Sequence, residues 1–356
     1  MITPAQLLYV TIFLSAFMLV LLVYTCFLLF FKNRTEKEKK RWLAKTDVLI
    51  TKTIFYEDEP GKEFFIPINT RITALLKRPG FRQTLIDELV VTSKNLAGVS
   101  AENLSRLYKQ LNLHKDSQKS FQKKKWHKKA KAIQELATMH IEGFPDVLFE
   151  LSNHKNEYIR MEAQTSIVKF QGFEGLSFLN EITYPISEWH QINLLKELSN
   201  IPAGDFLGIE NWLKSKNDTV IIFALKLSAS YHQFQLYDNI VECLSHTNPK
   251  VRFQAIKCLR EIYEDTTAFH LMKIYNTESK KHQLEILSAL QEIASPESIS
   301  FLERQLYSED NQIKVAAIRA LFNIGEEGSA VVDQHPKASQ FPLDEIIKQI
   351  KMESKR

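Results

Sequence analysis

What most restricts this chain is a segment that returns about every 31 residues. NEYIRMEAQTSIVKF from Asn156, NDTVIIFALKLSASY from Asn217, NPKVRFQAIKCLREI from Asn248 and DNQIKVAAIRALFNI from Asp310 align with starts 61, 31 and 62 residues apart. The two missing units stand where that step places them, SEWHQINLLKELSNI from Ser187 and SKKHQLEILSALQEI from Ser279. KWHKKAKAIQELATM from Lys125 completes the series. Repetition at this period marks a stacked array of small helical units. Glycine is scarce, 10 residues in 356, which counts against turn-rich sheets and phosphate-cradling loops.

The apolar positions show how such a stack would hold. Seven residues after each start stand Ala132, Ala163, Leu194, Ala224, Ala255, Ile286 and Ala317, and eleven after stand Leu136, Ile167, Leu198, Ser228, Leu259, Leu290 and Leu321. Fourteen after come Met139, Phe170, Ile201, Tyr231, Ile262, Ile293 and Ile324. These offsets share one helical face. Eight residues before six of the starts, Leu148, Leu179, Ile209, Ile240, Leu271 and Leu302 mark a preceding helix. Each unit is therefore read as a helix pair that buries its apolar face only by stacking on its neighbours.

The run NPKVRFQAIKCL, Asn248 to Leu259, resembles the second-helix signature of HEAT repeats, in which a turn with Asp or Asn and Pro precedes Val-Arg and then a small and a large apolar residue. The resemblance covers about Lys125 to Gly328. It implies an all-α fold, an α-solenoid of HEAT-type helix pairs, and a scaffold or adaptor that binds a protein partner. The chain departs from the pattern in two ways. His154 and His246 stand where the family has an acidic residue six places before Arg160 and Arg252, and the Arg slot becomes Gln191, Ile221 and Gln283 in other units. The family's side-chain ladder between repeats is therefore not implied here.

Ahead of the repeats, Ala5 to Phe31 carries no charge over a length that exceeds the ~20 residues a helix needs to cross a bilayer. A single N-terminal transmembrane helix over 5–31 is expected; a cleaved signal would need a basic start, a shorter apolar core and a small-residue cleavage site. Residues 32–46 follow as a basic juxtamembrane linker in which Lys32, Arg34, Lys37, Lys39, Lys40, Arg41 and Lys45 are expected to meet anionic headgroups. By the positive-inside rule the N-terminus is placed outside and the body in the cytoplasm. Charge along the rest is uneven: +1 over 46–114, +7 over 115–131 and −9 from 132 to the end.

Residues 47–124 read as a small, mostly helical adaptor. Its first part, 48–66, contains two β-branched and aromatic runs split by an acidic stretch and Pro60-Gly61. That pattern fits a hairpin and equally an extension of the upstream helix. The repeats occupy 125–328, and a tail with a short helix fills 329–356.

No phosphate loop, HExxH, GxSxG or dinucleotide fingerprint is present, so no catalytic residues, metal or cofactor are assigned, and no small-molecule substrate follows. His190 and His282 share a slot in related units but have no recurring second ligand and read as polar residues at a helix start. Cys26, Cys243 and Cys258 have no paired spacing, which indicates reduced thiols. The acidic balance after Lys131 points away from nucleic acid.

Two further rows on the second helices carry the functional expectation. Offset nine, opposite the core stripe, holds Thr165, Lys196, Lys226, Lys257, Ser288 and Arg319; offset five beside it holds Met161, Ile192, Ile222, Phe253, Leu284 and Val315. If offset five faces solvent, the rows form an apolar strip flanked by lysines that suits an acidic or amphipathic segment; if it packs between repeats, it is core. Trp189, Ile192, Lys196, Ile222, Lys226, Phe253, Lys257, Leu284 and Arg319 are the candidate partner-binding residues. The expected role is a membrane scaffold, with an envelope transport or polysaccharide-synthesis complex as a host. The alternative from another class is a HEAT-like enzyme or enzyme regulator of the lyase or nucleic-acid-acting type.

Overall fold

The computed structural model describes residues 4–57, 61, 63–96, 98–141, 144–199 and 208–353. All regular structure among them is helical. The chain divides into two compact units, 1–166 and 167–356.

Unit 1 opens with α1 (Pro4–Ile54), a single helix of 51 residues. Its apolar stretch is long enough to cross a membrane, and none of that window is buried against the protein. The helix does not stop at the basic segment. Residues 32–46 are helical, and from Trp42 onward Trp42, Thr46, Leu49, Ile50 and Thr53 line one face at helical spacing and pack inward. That stripe supplies the tertiary reason for residues 48–54 to continue the helix, the second of the two alternatives open for the start of 48–66, whose turn at 58–60 and 62 lies outside the described residues. The later apolar run has no regular structure at Ile66, and its backbone pairs with a side chain: Ile66 N–H donates to Gln110 Oε1 at 3.1 Å and Gln110 Nε2 donates to Ile66 O at 2.9 Å. One carboxamide thus takes the place of a partner strand.

Four helices follow, of which the second and third pack on the inner end of α1. They are α2 (Thr70–Leu75), α3 (Pro79–Lys94), α4 (Val99–Gln110) and α5 (His114–Phe121). Leu49 and Ile50 join Phe81, Leu85, Ile86, Leu89, Leu104, Leu107 and Tyr108 in one core. Then come α6 (Trp126–Thr138), α7 (Pro145–Leu151) and α8 (Glu157–Gln171), which runs across the boundary between the units. The two compact units meet at 166/167, within α8. Met139 belongs to the unit 1 core. Buried Glu135 of α6 accepts from Ser117 Oγ at 2.5 Å and Gln83 Nε2 at 2.8 Å, and Tyr108 OH donates to Ser117 at 2.8 Å. Burial pushes the Glu135 carboxyl upward, against the hydrogen bonds from Ser117 and Gln83. A polar network this enclosed ties the first repeat to the adaptor.

Unit 2 is a stack of helix pairs. A 3-10 turn over Glu174–Asn180 precedes α9 (Glu188–Leu198), and then α10 (Ile209–Leu213) pairs with α11 (Asp218–Ser230). The next pairs are α12 (Tyr237–Glu242) with α13 (Pro249–Glu261), α14 (Thr267–Ile274) with α15 (Lys280–Ile293), and α16 (Ile299–Gln305) with α17 (Asn311–Ile324). The array ends in α18 (Glu326–Gln334) and α19 (Leu343–Glu353). The second helices of successive pairs pack directly on one another.

Local chemistry explains where each second helix begins. Ser187, Asn217, Asn248 and Asp310 are N-caps whose side chains accept a backbone N–H of the first turn, and Ser279 occupies the same position. Such caps satisfy donors that the helix leaves without a partner. Every residue at the seventh and eleventh offsets is buried, as is each of the six residues eight before the starts. At the fourteenth, Met139 and Ile262 are buried, Phe170, Tyr231, Ile293 and Ile324 are half-buried, and Ile201 lies outside the described residues. Small side chains are required where helices touch most closely. A Cβ on Gly328 would lie 2.0 Å from Leu321 O, so α18 can approach α17 only without one.

Candidate partner-binding face

In four units the turn between paired helices is clamped by the residue four after the start. Arg160 Nη1 donates to His154 O at 2.7 Å and Arg252 Nη1 to His246 O at 2.9 Å. Gln191 Nε2 donates to Ile186 O at 3.2 Å, and Gln283 Nε2 to Tyr275 O at 3.1 Å. The histidines standing in the acidic slot serve the same turn: His154 Nδ1 accepts the Asn156 N–H at 3.0 Å and His246 Nδ1 the Asn248 N–H at 3.1 Å.

A link between repeats also exists, with partners the sequence did not reveal. Arg252 reaches buried Glu278 through Nε, and through Nη2 at 3.2 Å, while His282 Nδ1 lies 2.5 Å from the same carboxylate. Burial works to raise the Glu278 pKa, but the hydrogen bonds and charges of Arg252 and His282 outweigh it and hold the carboxyl below its ordinary value. Asn248 Nδ2 donates to Asp218 Oδ2 at 2.6 Å, and Lys280 pairs with Asp310. His282 is therefore a buried structural residue, and His190 is buried as well. No group of three His, Cys, Asp or Glu among the described residues is arranged to hold a metal. Cys243 and Cys258 are buried thiols, and burial pushes Cys243 up to about 11.

The two rows of interest lie on the side of the second helices away from that interior. In unit 2, Ile192 is 60% exposed, and Ile222, Phe253, Leu284 and Val315 are half-buried. Trp189, one turn before Ile192, is 65% exposed. In unit 1, Met161 and Thr165 are half-buried. The side chains at offset five are thus neither free in solvent nor closed inside the stack. Each keeps part of its surface open to solvent.

The cations are fixed rather than loose. Lys226 Nζ donates to Gln191 Oε1 at 2.8 Å across to α9. Burial lowers its pKa, Glu188 raises it and Lys257 lowers it again. Lys257 Nζ stands 5.3 Å from the centre of the Phe253 ring, and Lys281 Nζ, from α15, stands 4.5 Å from it. Two ammonium groups over one aromatic ring hold positive charge beside an apolar surface. Lys196 is exposed, and Arg319 pairs with Glu353 at 2.7 Å. Lys281 was missed because it does not fall on the lysine row; it arrives from the first turn of the next helix.

Glu353 introduces a feature that the repeat pattern did not contain. A groove of about 600 Å³ is lined by Leu284, Ser288, Val315 and Arg319 on one side and by Phe341, Pro342, Glu345, Ile346 and Gln349 on the other. The far end of the strip therefore already faces an amphipathic segment of the same chain, α19, whose Leu343, Ile347 and Ile350 are buried while Asp344, Glu345 and Glu353 supply acid. A second groove of about 860 Å³, lined by polar residues including Asn180, Asn217, Asp218 and Lys250, reaches Ile222 from the turn side.

Stacked helix pairs with capped second helices and an Ala/Leu interior define an α-helical repeat protein. The HEAT repeat family model matches residues 236–265, which contain α12 and α13. A search of curated proteins found no match. Among solved structures, similarity is found to an engineered protein, at 18% identity over 79% of this chain and 87% of that one with a TM-score of 0.39. The X-ray structure of YibA from E. coli is 17% identical over 73% and 99%, with a TM-score of 0.39. A chain from work on tubulin recruitment by microtubule polymerases with TOG domain arrays is 12% identical over 73% and 71%, with a TM-score of 0.25.

Proposed function

We propose that the protein is a membrane-tethered scaffold whose HEAT repeats hold an acidic, amphipathic helical segment of a protein partner on the strip from Trp189 to Arg319. The observation that carries this reading is the strip itself. Ile192, Ile222, Phe253, Leu284 and Val315 keep an apolar edge outside, fixed ammonium groups flank it, and its far end lies against α19, a segment of the proposed chemistry. Exposed apolar anchors of this kind concentrate binding energy in a few side chains. In α1, the uncharged stretch before Lys32 and the basic residues after it support a span with the N-terminus outside and the body in the cytoplasm.

The test is affinity purification of the full chain from mild detergent, with mass spectrometry of what co-elutes, beside the variant Ile192→Glu with Ile222→Glu. A carboxylate forced unpaired into a dry contact keeps its desolvation cost, commonly several kcal/mol. The variant is expected to lose the partner with only a small drop in melting temperature. Unchanged recovery at unchanged stability would overturn the reading. For the tether, a cysteine placed after Lys45 is expected to react with an impermeant reagent only once cells are opened.

A further inference from the structure

The fold of unit 1 sets a definite end of the bundle toward the span. Trp42 of α1 packs against the start of α3: its ring lies edge-on to Phe81 at 6.1 Å, and a Cβ on Gly80 would lie 3.2 Å from it. At the other end, Ser100 Oγ, in the first turn of α4, donates to Ile54 O at 3.3 Å, and Asn103 Nδ2 donates to Tyr56 O at 2.9 Å. Helix α3 therefore runs parallel to α1, away from the apolar stretch, and α4 returns toward it. Arg82 closes the returning end, donating from Nη2 to Asn112 O at 2.9 Å and from Nε to Asp116 Oδ2 at 2.6 Å. The turn before α3, the last turn of α4 and the first turn of α5 thus meet at the level of Trp42.

These three places carry Lys77 and Arg78, Lys109, and Lys115, all exposed. The carboxylate beside them, Asp116, is held by Arg82. They are remote from the basic run of α1 in sequence and are gathered beside it only by the fold.

We propose that this end of unit 1 is a second contact surface for anionic lipid headgroups, formed by Lys77, Arg78, Lys109 and Lys115. The inference rests on α1 being a membrane span. With no break in the helix, the 11 residues from Phe31 to Trp42 rise about 17 Å at about 1.5 Å each. The headgroup layer takes up about 5–8 Å of that, which leaves an upright bundle about 10 Å clear, near the Debye length of about 8 Å at physiological salt. Spanning helices tilt by about 20° on average and up to about 40°. A patch one or two interhelical distances of about 8–10 Å off the α1 axis descends by most of that gap within this range. Negative surface charge would select the tilt that brings the patch down, and the stiffness of α1 would carry that orientation to the whole of unit 1.

The experiment uses the full chain in nanodiscs of phosphatidylcholine with and without phosphatidylglycerol. Ala74 is exposed on α2, close in sequence to the patch, and a donor dye on Ala74→Cys in a Cys26→Ser background reports energy transfer to a headgroup acceptor. Transfer is expected to be higher in the anionic discs and to fall to the neutral value when salt is raised from about 0.1 M to about 1 M, which shortens the Debye length from about 10 Å to about 3 Å. Lys77→Glu with Arg78→Glu, checked for an unchanged melt, is expected to abolish the rise, and Lys109→Gln with Lys115→Gln to reduce it. Equal transfer in both lipids, or a rise that survives both double variants, would overturn the proposal and leave the tether standing. A chain that does not enter neutral discs and washes from vesicles in alkaline carbonate would overturn the tether, and this inference with it.

Discussion

Alanine at three positions on two of the second helices separates the interior of the stack from its outer strip. Leu259 is fully buried, Phe253 on the same helix is half-buried under two ammonium groups, and Ile192 is 60% exposed. Leu259→Ala removes a side chain closed on every side and is expected to cost about 2–5 kcal/mol. For Ile192, the buried two-fifths of the side chain scales the ~1.5–3 kcal/mol of full burial to about 0.6–1.2 kcal/mol. Phe253→Ala falls between, because it loses partial burial together with contacts to Lys257 and Lys281 worth about 0.5–1 kcal/mol each. For a unit of this size a kcal/mol moves the melting temperature by about 2–4 °C, so the expected drops are about 4–20 °C for Leu259 and at most about 5 °C for Ile192. Circular dichroism melts of the full chain in mild detergent read these values directly. An Ile192→Ala drop equal to that of Leu259→Ala would show that the strip is core and refute the assignment of faces. A Phe253→Ala drop below that of Ile192→Ala would refute the stacking of lysines on its ring.

Three other expectations follow from the geometry. Glu278→Ala leaves the Arg252 guanidinium and His282 without their buried carboxylate and should cost about 3–5 kcal/mol in chemical denaturation; because the folded carboxyl is held below the ordinary 4.5, its contribution is complete above that pH and fades as the pH falls through the lower folded value, a dependence that Glu278→Gln should flatten. Gly328→Ala drives a methyl to within 2.0 Å of the Leu321 carbonyl and should destabilise by about 1–3 kcal/mol or more, whereas an unchanged melt would show that α18 does not dock as described. Truncation after Gln340 exposes Leu284 and Val315 and forfeits the burial of Leu343, Ile347 and Ile350, so the melt should fall by several kcal/mol equivalents at about 1.5–3 kcal/mol per side chain while a peptide of residues 341–353 gains measurable binding.

The sequence by itself determined the repeat. Period, caps and core stripe are local properties: Asn217 caps because its side chain reaches an amide two residues on, and Ala224 and Ser228 are interior because one turn of helix puts them on one face. The apolar length of α1 was legible for the same reason. Tertiary structure decided what depends on groups far apart in the chain. Whether residues 48–54 form strand or helix was settled by Leu49 and Ile50 finding Phe81, Leu85 and Leu104 as neighbours, a matter of burial to which local β-propensity yields. The turn clamps show the division most clearly. Arg252 was recognisable as a repeat residue, but its carboxylate partner comes from Glu278, 26 residues later and off the repeat register. The strip was legible as a row of side chains at offset five, and its half-exposed state was not, because periodicity fixes direction on a helix while the distance to the neighbouring helices fixes burial. Lys281 on the Phe253 ring and α19 against Leu284 and Val315 belong to the same class of fact. Each joins residues by packing alone, and packing is the one property that the order of residues does not write down.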